Sequence, residues 1–189
     1  MRIWVVAVIL VLLVPVVAVT TAAASPGPGD HHNKGAGTIS FFQAAIVSGP
    51  KVLNDHTTIE KVMMTLSFTG SMSGTANTIE RDVMHTHPHD GTTVTFTTFH
   101  GWGNFTGTIG NLRVTLHIRY EGVKNSTFTR GNFVVKGDTG QMNDVHGEGH
   151  FRGSGGPPAE GTGNPGSVNY TMHWHVSTHT EQPEAKDKD

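Results

Sequence analysis

Apolar and polar residues alternate along much of this chain with a period of two, the pattern of a β-strand that buries one face. Val62, Met64, Leu66 and Phe68 mark one such face. Leu112, Val114, Leu116, Ile118 and Tyr120 mark a second, opposite Arg113, Thr115, His117 and Arg119. Val168, Tyr170, Met172, Trp174 and Val176 mark a third, opposite Asn169, Thr171, His173, His175 and Ser177. No convincing helical period or long internal repeat interrupts them. Glycine-bearing turns at Pro88 to Gly91, Gly107 to Gly110 and Gly137 to Gly140, and a long connection from Gly153 to Gly166, separate the strands. Many long strands with one apolar face predict an all-β domain, a single antiparallel sheet closed into a β-barrel, because closure removes exposed edges.

The ends of the chain read differently. Arg2 is followed by an apolar run from Ile3 to Val19, then by Ala22, Ala23 and Ala24 before Ser25. This predicts a signal helix over residues 1–24 with an Ala-x-Ala cleavage site. The alternative is an uncleaved anchor, which is the one expected route to a membrane. Residues 25–35 read as a flexible linker, 36–179 as the barrel domain and 180–189 as a polar, disordered tail. The expected location is therefore secreted or at the cell surface.

Composition narrows the chemistry. The chain has no cysteine, so disulfides and thiolate ligands are excluded and stability must come from burial and strand pairing. A formal net charge of -2 gives no reason to expect nucleic acid. No nucleophile motif, phosphate-cradling loop or matched catalytic set stands out, so neither a nucleotide nor a flavin is expected.

The most specific passage runs Val134-Val135-Lys136-Gly137-Asp138-Thr139-Gly140-Gln141-Met142-Asn143-Asp144-Val145-His146-Gly147-Glu148-Gly149, with an aromatic at Phe151. It resembles an uncharacterised bacterial domain family with an allene-oxide-cyclase-like barrel of the dirigent and lipocalin-like kind. In that family Val-Val, a glycine-rich turn, Thr-Gly and Gly-Glu-Gly follow in this order. The likeness extends more loosely from Gly35 to Val176, through Phe105, Thr106 and Gly107 and the closing segment Tyr170 to His175. It implies eight antiparallel strands around an apolar interior, which Met142 and Val145, apolar side chains in this passage, are of a kind to plug. It implies no established activity, and no cyclase site carries over residue by residue. Acidic residues are usual where this chain has His173 and His175, so the resemblance says nothing of the histidines' role.

Thirteen histidines are the chain's conspicuous chemistry. They alternate at His85, His87 and His89, at His146, Glu148 and His150, and at His173 and His175. Asn104, Asn125 and Asn169 each begin an Asn-x-Thr glycosylation sequon, and a used sequon faces solvent. Asn169 shares the parity of His173 and His175, which places these two outside the barrel. The same logic puts His146, Glu148, His150 and Arg152 outside. If Arg152 lies opposite Ser167, His146 falls opposite His173 and Glu148 opposite Thr171. His146, Glu148, His173 and His175 then form one surface patch suited to zinc, copper or nickel. A slip of two residues would re-pair that patch without turning it inward. His85, His87, His89 and Asp90 form a second candidate set. Pro88 to Gly91 reads as the turn there, so His89 is expected to leave the strand.

The leading functional expectation is a secreted, non-catalytic barrel acting as a binding or surface module. An interior lined by Met64, Phe68, Phe96, Leu116, Tyr170, Met172 and Trp174 could hold a small apolar ligand, although small barrels are often filled by their own side chains. The competing expectations are metal binding by surface histidines, a barrel enzyme of cyclase or isomerase type, and self-association. An open interior favours a carrier or an enzyme, and a plugged one favours a structural module.

Overall fold

The computed structural model describes residues 32–89, 92–138, 143–154 and 166–178. The expected signal helix, most of the linker, the polar tail, Asp90 and Met142 lie outside the described residues. Eight strands follow one another: β1 (Asn33–Asn54), β2 (Thr57–Gly70), β3 (Met72–His89), β4 (Thr92–Ile109), β5 (Leu112–Lys124), β6 (Phe128–Asp138), β7 (Asn143–Ser154) and β8 (Gly166–Thr178). Each pairs antiparallel with the next, and β1 also pairs with β8, so the sheet closes on itself. The expected all-β architecture, one antiparallel sheet of eight strands in a ring, is what the chain adopts.

Parity sets the core. On β2 Val62, Met64, Leu66 and Phe68 are buried, as are Val114, Leu116, Ile118 and Tyr120 on β5 and Val168, Tyr170 and Met172 on β8. Trp174 and Val176 are half-buried and pack against this cluster. Phe68 meets Phe105, Tyr170 and Phe133 edge-on, with ring centroids 5.3, 6.1 and 6.4 Å away. Contacts of this kind contribute about 0.5–1.5 kcal/mol each beyond burial.

Bulky rings fit inside so narrow a ring because glycines face them. A Cβ on Gly101 would run into the ring of Tyr120, on Gly122 into Phe99, on Gly131 into Phe151 and on Gly149 into Phe133. In each pair the aromatic on one strand covers the bare backbone of its neighbour. This gives these four of the chain's 24 glycines a packing role beyond the turns.

One end of the barrel is closed by the β2–β3 corner. Gly70 has φ 97°, a conformation glycine adopts without penalty, and the corner it makes is pinned at several points. Ser71 N donates to Ala36 O at 3.0 Å and Gly110 N to Ser71 O at 2.8 Å, while Met72 N donates to the Tyr170 hydroxyl at 2.7 Å. At the opposite end β1 to β4 run past the ring. Among the described residues, those of β1 after Phe41 pair with β2 alone, and those of β4 before Thr97 with β3 alone.

Two expectations about β3 and β4 are corrected. His89 does not leave its strand, because the β3–β4 ladder continues to the pair His89–Thr92. Phe96 does not face the interior. It pairs with His85, one step out of phase with the buried Thr97 and Phe99, and is only half-buried.

Candidate functional site

The interior carries a charged cluster at the end away from the β2–β3 corner. Glu80 and Asp82 point inward from β3 and Lys124 from the end of β5. Lys124 Nζ donates to Glu80 Oε1 and to Asp82 Oδ2, both at 2.8 Å, and lies 5.2 Å from the centre of the Phe99 ring. Below it the Thr78 and Tyr120 hydroxyls bond at 2.9 Å. Asp82 Oδ1 is buried without a hydrogen-bond partner. Burial first, and the nearby Glu80 charge second, push the Asp82 carboxyl from 3.8 up to about 7. Burial opposes the charge on Lys124, but the two carboxylates outweigh it and hold the ammonium above the usual lysine range. Burial and the Glu80 charge push the Tyr120 phenol well above its ordinary value.

Beside this cluster lies a cavity of about 50 Å³, lined chiefly by apolar residues such as Met64, Phe68, Ile118 and Phe133, with Glu80, Lys124 and Thr129 at its polar side. Small-molecule sites typically offer about 300–1,000 Å³. The interior is thus filled by its own side chains, with room for a few waters at most.

The large concavity is on the outside, where a groove of about 720 Å³ runs across β3 to β7. Its floor is a line of cross-strand neighbours, Phe99, Gly122, Gly131 and Phe151. Two rows of outward residues make its walls. One is Arg81, His100, Glu121, Asn132 and His150; the other is Val83, Thr98, Val123, Arg130 and Arg152. Among the described residues Glu121 is the one carboxylate in the walls, and its Oε2 lies 3.7 Å from His100 Nδ1. His150 Nδ1 is 2.7 Å from Asn132 Oδ1 and donates to it, which fixes the ring's orientation. Among the described residues no carboxylate pairs with Arg81, Arg130 or Arg152. Arg130 lies over the Phe128 ring at 5.5 Å and directly opposite Arg152 across the β6–β7 ladder.

The histidine patch stands outside, on the faces parity assigned, but two residues out of the expected register. His146 pairs with His175 and Glu148 with His173, because Arg152 falls opposite Asn169 and not Ser167. The His146 and His175 ring centroids are 5.4 Å apart, and His32 approaches His175 at 5.8 Å. His85 and His87 stack at 6.5 Å, and the His56 ring also lies 6.5 Å from that of His87. Among the described residues no three His, Asp or Glu converge where one metal ion could sit.

Of the residues expected to line the interior, Met64, Phe68, Leu116, Tyr170 and Met172 are buried there and Trp174 borders it. Asn104 and Asn169 lie exposed on their strands; Asn125 is half-buried in the β5–β6 turn, where its side-chain oxygen accepts from the amides of Thr127 and Phe128. Sequence reasoning missed the interior charges and the groove. Lys124 on the apolar parity of β5 was the available signal for the first; the groove is made only when five strands pair. No family model and no curated protein sequence matches the chain.

Proposed function

We propose that the protein is a non-catalytic binding module, of allene-oxide-cyclase-like barrel type and exported from the cell, that takes its partner on the outside of the barrel. The observation that carries this reading is the contrast in space: about 720 Å³ in the outer groove against about 50 Å³ inside. A filled barrel interior gives a rigid sheet, and a rigid sheet holds the groove's side chains in fixed rows with little entropy left to lose on binding.

The test uses two measurements on protein purified from its own host. Native mass spectrometry is expected to give the mass of the polypeptide and any glycans alone, and an apolar molecule bound in the interior would overturn the outside reading. Asn132→Trp fills the groove from an exposed wall position, so it is expected to abolish partner binding without lowering the melting temperature. Undiminished binding in that variant would place the partner elsewhere.

A barrel enzyme is the second reading, favoured by the meeting of Glu80, Asp82 and Lys124 at the cavity. It requires an opening that admits a substrate, and activity that disappears in Lys124→Met while the protein remains folded would support it.

A further inference from the structure

We infer that the outer groove is a binding site for an acidic polysaccharide, a chain of carboxylated or sulfated sugars laid across β3 to β7. The inference rests on the outer-groove reading above and adds the chemistry of the partner.

Charge gives the first argument. Arg81, Arg130 and Arg152 are exposed, none of them pairs with an acid among the described residues, and only Glu121 opposes them in the groove. Arg130 and Arg152 are cross-strand partners, so their Cβ atoms stand about 4.5–5.5 Å apart, where like charges repel. A bound anion turns that repulsion into attraction, since each guanidinium offers a planar fork that matches a carboxylate or sulfate.

Spacing gives the second, because it separates a polymer from a single ion. Arg81 on β3 and Arg130 on β6 are three strand intervals apart, about 14 Å at roughly 4.8 Å per interval. No small anion spans that distance, whereas a polyanion running perpendicular to the strands meets Arg81 and His100 at one end and Arg130, Arg152 and His150 at the other. Between them the Asn132 amide and the Thr98 hydroxyl are neutral partners suited to sugar hydroxyls.

The third argument selects sugar over other polyanions. Trp102 is 42% exposed on β4 with its ring 6.3 Å from that of His100, an aromatic face at the groove's edge on which a sugar ring can stack. A recessed groove fits a linear chain better than a flat lipid surface.

Binding of the full chain to polygalacturonate and dextran sulfate would be measured by calorimetry, with neutral dextran, single-stranded DNA and anionic lipid vesicles as comparisons. At least one acidic polysaccharide is expected to bind, more weakly as salt is raised, and in preference to all three comparisons. Replacing both Arg130 and Arg152 with Gln should weaken that binding about tenfold or more, from the loss of charge-assisted hydrogen bonds. Arg81→Gln should weaken it separately, and Arg113→Gln, exposed on β5 away from the groove, should not. Unchanged melting temperatures would confirm that the variants fold. Failure of both acidic polysaccharides to bind, or binding that ignores the groove arginines, overturns the inference. Preference for DNA or vesicles overturns it in favour of those partners. A neutral glycan that binds, and is lost in Asn132→Trp, overturns the acidic chemistry and leaves the outer groove standing as the site.

Discussion

Lys124 Nζ stands 2.8 Å from Asp82 Oδ2 inside the barrel, and the same ammonium is 2.8 Å from Glu80 Oε1. One ammonium balances one carboxylate, so the ionised cluster carries a surplus negative charge, and Asp82, with an unpartnered oxygen, takes the upward shift to about 7. Its folded value lies above the unfolded 3.8, so the folded state keeps a proton that the unfolded chain releases. The stability this contributes is complete below pH about 4 and is lost as pH rises through about 7. At ~1.4 kcal/mol per pKa unit it amounts to a few kcal/mol. Urea unfolding from pH 4 to 8 should show that decline in the native protein and a flatter profile in Asp82→Asn. The same slope in both would remove Asp82 as its source.

Lys124→Met tests the other half of the cluster. Removing the cation leaves two buried carboxylates uncompensated, and losses of this kind run to about 3–5 kcal/mol. At pH 8 the variant should be destabilised by that order, whereas at pH 5 protonation of Asp82 relieves part of the repulsion and the gap to the native protein should narrow. An equal gap at both values would mean that Lys124 acts through packing on Phe99 alone.

These charges also mark where alternation stops being readable. On β2, β5 and β8 apolar residues occupy one parity almost without exception, so the buried faces were legible in the sequence. On β3 the pattern inverts: Thr78, Glu80 and Asp82 point inward, while Ile79 and Val83 share the outer face with Arg81. Hydrophobicity alone assigns that strand the wrong way round, and Lys124 explains the inversion only once β5 lies two strands away in the ring. The β7–β8 register was missed by two residues for another reason. Parity forbids a slip of one but permits a slip of two, and the long Gly/Pro-rich connection does not choose between them. The groove has no local signal, since Arg81, Arg130 and Arg152 come together only through the pairing of β3 to β7.

Gly101 and Tyr120 supply a packing test. The three atoms nearest a Cβ on Gly101 all belong to the Tyr120 side chain, its hydroxyl among them, so Gly101→Ala must displace the ring and its bond to Thr78. A cost of about 1–3 kcal/mol is expected for overpacking of this kind. With Tyr120→Leu already in place the same substitution should cost clearly less, as chemical denaturation of the four proteins of the cycle would reveal. Strict additivity would mean that the strain lies in the β4 backbone.

Metal addition tests the histidine pairing. His146 faces His175 and Glu148 faces His173, but among the described residues no three donors converge to hold one ion. Two imidazoles at the surface bind divalent metal weakly, and weak binding adds little stability until the metal approaches its dissociation constant. Zinc, copper or nickel in modest excess should therefore leave the melting temperature of dialysed protein where it was. A rise of several degrees that His146→Ala abolishes would require the patch to rearrange around the ion.

Tyr170 closes the barrel at the β2–β3 corner, where its hydroxyl accepts from Met72 N at 2.7 Å and lies 3.2 Å from Thr69 O. Its ring is 2% exposed, so Tyr170→Phe keeps the apolar packing and removes a single oxygen. The buried Met72 amide then has no acceptor, and a donor left in that state costs about 1–3 kcal/mol. Hydrogen exchange should show the loss concentrated in amides of the corner, Ser71 and Met72 first, with the groove strands β5 to β7 little affected and polysaccharide binding retained. Accelerated exchange spreading across β5 to β7 would instead make the corner a determinant of the whole barrel, and would tie the groove's rigidity to a hydroxyl at its far end.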